Sequence, residues 1–161
     1  MIGLGIDLGT KPGWCGAEFG DNGDIMVFGC GSLNLTLKSW EGAGMRPFRW
    51  RQAVESIIDM VRPDIIVYES VRRHEGTAAA HVYGEMRGVL LEFCDRFSPP
   101  IPVTAIEVGQ WKKAATGVGN ASKDKVAEWA KTLPGWPTDM ELPHDVSDAA
   151  GIIVGWMRLE L

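Results

Sequence analysis

Two short, largely apolar runs in this chain each end on a carboxylate: I-G-L-G-I-D at residues 2–7 and D-I-I-V-Y-E at residues 64–69. Runs of this length bounded by turn residues read as buried strands. A carboxylate at the end of such a run loses water, which is unfavourable unless a cation or hydrogen-bond donors compensate. If the two strands are neighbours running the same way, Asp7 and Glu69 converge at one end of a sheet. Open α/β sheets place ligands in that crevice. For Asp7 alone a second reading stays open, that it caps the Gly9-Thr10 turn.

The remaining pattern fits around these two strands. Residues 14–19 and 25–30 read as further strands, with Asp21-Asn22-Gly23 between them as a turn, so the first three strands form an antiparallel meander. Residues 31–47 are Gly-rich and read as a loop. In 48–61 the apolar residues Ala53, Val54, Ile57, Ile58 and Val61 recur at helical spacing, and Pro63 ends the helix. Residues 78–97 predict a long helix with small residues at Ala78, Ala79, Ala80, Gly84 and Gly88. A strand at 103–106, short helices over 107–115 and 123–132, and a final amphipathic helix over 146–159 complete the chain. Three strands followed by alternating helices and strands predict a single α/β domain over residues 1–161, built on a mixed sheet.

Composition narrows the class. The 161 residues are 45% hydrophobic and 23% charged, a globular mix with neither disordered nor collagen-like bias. No apolar run approaches the roughly 20 residues of a membrane helix, and the N-terminus lacks an export signal's basic-then-apolar order. The cysteines Cys15, Cys30 and Cys94 have no C-x-x-C spacing, so a reduced thiol state and a cytoplasmic location are expected. The net charge of −5 is unevenly spread. Residues 1–44 carry two basic and five acidic side chains, residues 45–131 thirteen and eleven, residues 132–161 one and five. The acid excess therefore sits at the two ends of the chain, where bound cations would cancel part of it.

Asp145 and Asp148 supply two more carboxylates. Three apart at the start of the last helix, they share a face. Alone, the pair also reads as an N-cap followed by a dipole-favoured N3 acid. Together with Asp7 and Glu69 they form an oxygen-rich set of the kind that hard cations such as Mg²⁺ take. Two such ions held about 3.5–4 Å apart can clamp both oxygens of an in-line phosphodiester displacement. His144 beside the pair is either a further ligand or an exposed loop residue. The Thr116–Asn120 stretch T-G-V-G-N reads equally as a phosphate-facing turn and as a plain loop.

Taken in order, G-I-D-L-G-T (5–10), G-W (13–14), Y-E (68–69), A-A-A-H-V-Y-G-E-M-R-G-V (78–89), Lys112 with T-G-V-G-N-A-S-K (116–123), and H-D-V-S-D-A-A-G-I (144–152) resemble the RuvC-type Holliday-junction resolvases. These are RNase H-like nucleases, and phage-encoded members are the most similar in pattern. The resemblance implies an RNase H-like fold, a mixed five-stranded central sheet flanked by helices. It implies paired nicking of four-way DNA junctions by a homodimer, leaving 5′-phosphates, with two Mg²⁺ (or Mn²⁺) ions in each active site. Asp7, Glu69, Asp145 and Asp148 are then the metal ligands, and Lys112 and Lys123 act on the scissile phosphate. The place implied is the cytoplasm of a bacterium or phage-infected host. Where bacterial members carry an aromatic residue three positions after the second acid, this chain has Arg72. That departure broadens the expected substrates to forks and flaps.

Lysine and arginine supply sequence-independent affinity for DNA. Arg72, Arg73, Lys112, Lys113, Lys123 and Lys125 fall in expected loops or helix starts and are the candidate DNA contacts, with solvated surface charge as the alternative for each. Trp111, beside Lys112, is a further candidate for DNA contact. Other classes compete. G-I-D-L-G-T also opens the phosphate loop of actin-like ATPases and sugar kinases, which need two such domains and several hundred residues. A ribonuclease H acting on RNA–DNA hybrids uses similar carboxylates, and a non-catalytic junction-binding module could keep the fold.

Overall fold

The computed structural model describes residues 1–71 and 76–160. Its elements, in order, are β1 (Ile2–Asp7), β2 (Gly13–Phe19), β3 (Ile25–Ser32), α1 (Met45–Val61), β4 (Ile65–Ser70), α2 (Thr77–Cys94), β5 (Val103–Glu107), α3 (Val108–Thr116), α4 (Lys123–Ala130) and α5 (His144–Glu160). One five-stranded sheet runs in the order β3-β2-β1-β4-β5. The meander β1–β2–β3 is antiparallel, whereas β1–β4 and β4–β5 are parallel. The mixed sheet expected from the sequence is therefore present.

Strand alternation sorts the side chains into two cores. Leu4 and Ile6 of β1, with Ile66 and Tyr68 of β4, face α1 and α2, and pack against Trp50, Val54, Met86 and Leu90. The Trp50 indole N–H, buried there, donates to the Met86 carbonyl at 2.8 Å and so ties α1 to α2. On the opposite face Cys15, Ala17, Val67 and Ile106 pack under α3, α4 and α5. The intervening β1 residues Gly3 and Gly5 have no side chain to interpose. A β-carbon at Gly5 would collide with the Ala149 carbonyl oxygen, and one at Gly13 with the Asp145 carbonyl. The two glycines thus let α5 lie directly on the sheet, its backbone against β1 and the start of β2.

Candidate active site

The parallel register brings the first two acids together. Gly5 pairs with Val67 and Ile6 with Tyr68, so Asp7 and Glu69 follow at the same level on adjacent strands. By alternation both share the face of Gly5 and Val67, the one that α5 covers. Helix α5 begins at His144, which places Asp145 inside its first turn and not at an N-cap. Because α5 sits so close to β1 and β2, Asp145 and Asp148 approach the same end of the sheet.

The charges meet there. Burial, then the carboxylates of Glu69, Asp148 and Asp145, push the Asp7 pKa well above its usual value, while Lys123 opposes the rise. Burial also raises Glu69, with Asp148 adding to it, while the Trp111 hydrogen bond and the two lysines, Lys112 and Lys123, pull the other way. Asp148 is raised by burial, against Lys123 and Lys112, with Asp145 adding a further increase. Among the described residues no three Asp, Glu, His or Cys side chains close to the spacing of a finished metal shell. Asp7 thus feels the charges of the other three acids, and Asp148 that of Asp145, without the four being drawn onto a single point. One observation fits this set to a hard cation. Oδ1 of Asp148, only 8% exposed as a residue, is buried with no hydrogen-bond partner. A buried carboxylate oxygen left unsatisfied is unfavourable unless a cation meets it.

The basic residues separate into two groups. Lys112 and Lys123 both reach the acids electrostatically. The Lys112 ammonium donates to the Ala121 carbonyl at 3.0 Å, which holds it across the α3–α4 turn. Lys123 opens α4, where the Ser122 hydroxyl caps the helix by accepting from the Lys125 N–H. Lys113 and Lys125 are exposed and do not figure among the charges that shift Asp7, Glu69 and Asp148. Arg72 and Arg73 lie outside the described residues. His144 is exposed and stands 3.5 Å from Asp124. The T-G-V-G-N stretch is a helix end: Gly117 terminates α3 in the left-handed conformation, and the Val118 N–H is taken by the Thr116 hydroxyl. A cleft of about 630 Å³ lies to one side, between α4 and residues 136–142. It includes His144 and Ser147 but none of the four acids.

Trp111 corrects the sequence reading. It is 0% exposed and is no DNA contact. Its indole N–H donates to Glu69 Oε2 at 2.8 Å, fixing that carboxylate. Gly151 and Gly155 of α5 make room for it, since a β-carbon at either would strike Trp111. Two tyrosines and an arginine, also unassigned from sequence, hold the same strand end. The Tyr83 hydroxyl donates to the Glu69 carbonyl at 2.9 Å, and Arg87 Nε donates to the Tyr68 hydroxyl at 2.8 Å. The G-x-x-R-G segment thus supports β4 from α2. A buried aromatic N–H needs an acceptor, and that rule was the signal available for Trp111.

The family model described as "Crossover junction endodeoxyribonuclease RuvC" matches residues 4–156. The chain belongs to the RuvC family. RuvC from Chloroflexus aurantiacus (strain ATCC 29366 / DSM 635 / J-10-fl) is 31% identical to it over 159 residues, covering 96% of this chain and 91% of that one. RuvC from Dictyoglomus turgidum is 27% identical over 160 residues, 98% of this chain and 96% of its own. Thermus thermophilus RuvC, solved in complex with Holliday junction substrate, superposes with a TM-score of 0.83 at 23% identity, covering 99% of this chain and 96% of that chain. The yeast mitochondrial Holliday junction resolvase superposes at 0.73 with 19% identity, covering 97% and 77%. These structures share the fold. The RuvC match runs from β1 into the last turns of α5 and so contains all four acids and both lysines.

Proposed function

We propose that this chain is a structure-selective DNA endonuclease that resolves four-way junctions by paired nicking and also accepts forks and flaps. The observation that carries this reading is the unpartnered, buried Asp148 Oδ1 at the place where the charges of Asp7, Glu69 and Asp145 converge. Asp7, Glu69, Asp145 and Asp148 would hold two divalent ions, Mg²⁺ or Mn²⁺. When bound, such ions supply Lewis acidity to an in-line phosphodiester displacement that leaves a 5′-phosphate.

The chain's own groups have separate tasks. Trp111 holds the Glu69 carboxylate in one orientation, and Tyr83 holds the backbone beneath it. Lys112 and Lys123 place fixed positive charge beside the acids, where it offsets the negative charge gathering on the phosphate in the transition state. Lys113 and Lys125, with Arg72 and Arg73, serve to grip flanking phosphates. The unit at work is one domain over residues 1–161, acting as a homodimer in the cytoplasm of a bacterium or phage-infected host. Among the described residues no helix is long and apolar enough to cross a membrane.

The test is incubation with end-labelled four-way, forked, flapped and linear DNA and an RNA–DNA hybrid, with Mg²⁺, Mn²⁺ or chelator. The expected result is metal-dependent nicking of branched DNA. Asp7→Asn abolishes nicking yet still shifts the junction in gels, Lys112→Ala weakens nicking, and Arg72→Ala changes which branched structure is preferred. Preferential cleavage of the hybrid makes the chain a ribonuclease H. Binding without any metal-dependent nicking makes it a non-catalytic module.

A further inference from the structure

After β3 the chain is stitched back to the turn that follows Asp7. The Leu33 N–H donates to the Pro12 carbonyl at 3.0 Å, and the Leu35 N–H to the Thr10 carbonyl at 2.8 Å. The loop over residues 33–44 therefore starts at the acid end of the sheet. Five residues beyond Leu35 stands Trp40, within about 18 Å of it even at full extension. Trp40 is 75% exposed, more than any other large hydrophobic residue described.

The turn that carries this indole is built. The Glu41 carboxylate accepts the Lys38 N–H at 2.8 Å and is gripped by both terminal nitrogens of Arg49 from α1. The Glu41 N–H closes the turn onto the Lys38 carbonyl at 3.0 Å. With residues 38–41 locked this way, the ring between them projects outward. An exposed indole gains nothing from burial, so its presentation on a fixed turn points to a contact made outside the chain. The charge around it selects the partner. Lys38 and Glu41 are the only charged residues in 32–44, and Arg49 offsets Glu41. The Lys38 ammonium lies 5.2 Å from the Trp40 ring centroid, and exposed Lys11 sits in the turn to which the loop is stitched. A flat aromatic face flanked by cations matches a nucleobase with its phosphates.

We propose that Trp40 is a base-stacking residue that engages an unstacked nucleotide at the branch point, with Lys38 and Lys11 on the adjoining backbone. This rests on the branched-DNA reading and names a specificity-determining residue for it. The test measures binding in chelator of a four-way junction carrying 2-aminopurine at its centre, and of linear duplex. Trp40→Ala is expected to weaken junction binding about 10-fold and to abolish quenching of the 2-aminopurine, with duplex affinity unchanged. Trp40→Phe, which keeps an aromatic face, is expected to stay within about threefold of wild type and to keep the quenching. Thermal midpoints of both variants should equal that of the parent. Unchanged junction affinity and quenching in Trp40→Ala overturn the proposal, as does an equal loss on linear duplex or an equal loss in the Ala and Phe variants. A parent protein that cuts no branched DNA overturns the nuclease reading itself, whereas one that cuts normally alongside an unaffected Trp40→Ala overturns only this inference.

Discussion

Asp7 works against the fold that holds it. Burial and three neighbouring carboxylates raise its pKa in the folded chain, whereas the unfolded chain titrates near the ordinary value of about 3.9. Below that value the group is protonated in both states and has no effect. As pH rises the unfolded chain releases its proton first and the folded chain still holds one, so stability falls with pH through the folded pKa. Asp7→Asn removes that loss. In chelator at about pH 7.5 the variant should melt at least about 3 °C above the parent, with the gap closing near pH 4. Equal midpoints at neutral pH would show that the fold carries no such burden. Asp7 was legible because an alternating apolar run ended on it. Trp111 was not, because its place beside Lys112 says nothing of which way the ring points. Trp111→Phe should leave the fold intact but free the Glu69 carboxylate. Loss of that hydrogen bond raises the Glu69 pKa further, so the acid limb of the nicking profile moves to higher pH. The rate at saturating Mg²⁺ falls about 10-fold or more. An unshifted profile would reduce Trp111 to packing alone.

At the scale of the element, α5 decides whether there is a site at all. Its two aspartates are three residues apart on one helix, which the sequence displays. What the sequence does not display is how near the helix comes to the sheet, because that depends on the absent side chains at Gly5 and Gly13. Gly5→Ala sets a methyl group against the Ala149 carbonyl, a backbone atom that cannot swing aside. Denaturant unfolding should show a loss of about 2–3 kcal/mol, with nicking reduced beyond what the remaining folded fraction explains because Asp148 is displaced from Asp7. A variant as stable and active as the parent would mean that α5 does not set the site. Helix ends were the less legible part for a related reason. Helix α1 starts at Met45 and not at 48, since Pro47 falls in a first turn whose N–H groups need no helical partner. Helix α2 stops at Cys94 and not at 97, where the Phe97 and Ile101 N–H groups turn back to the Cys94 carbonyl. Each boundary is set by local hydrogen bonding that apolar periodicity does not record.

In the proposed reading one set of four carboxylates opens one phosphodiester bond, whereas resolving a four-way junction requires two symmetric cuts. The proposed function therefore calls for a second site, and a twofold pair of chains is the simplest source. Helix α2 has the free surface for it. Ala78, Ala79, Gly84 and Gly88 are exposed along the helix, and a β-carbon added at Gly84 or Gly88 would meet nothing within 4 Å. Small residues left open to this degree allow a second helix to approach closely. They also make the test clean, because a larger side chain there cannot disturb the chain's own packing. Gly84→Glu with Gly88→Glu should keep the thermal midpoint within about 2 °C, surface changes of this kind shifting stability little. Sedimentation is expected to give a dimer for the parent and a monomer for this variant. On a supercoiled plasmid with an extruded cruciform, paired cuts convert the circle to a linear molecule, and a single cut relaxes it. The variant is expected to yield open circles where the parent yields linear DNA. If linear product persists from a sedimenting monomer, the second cut does not come from a partner chain docked on α2.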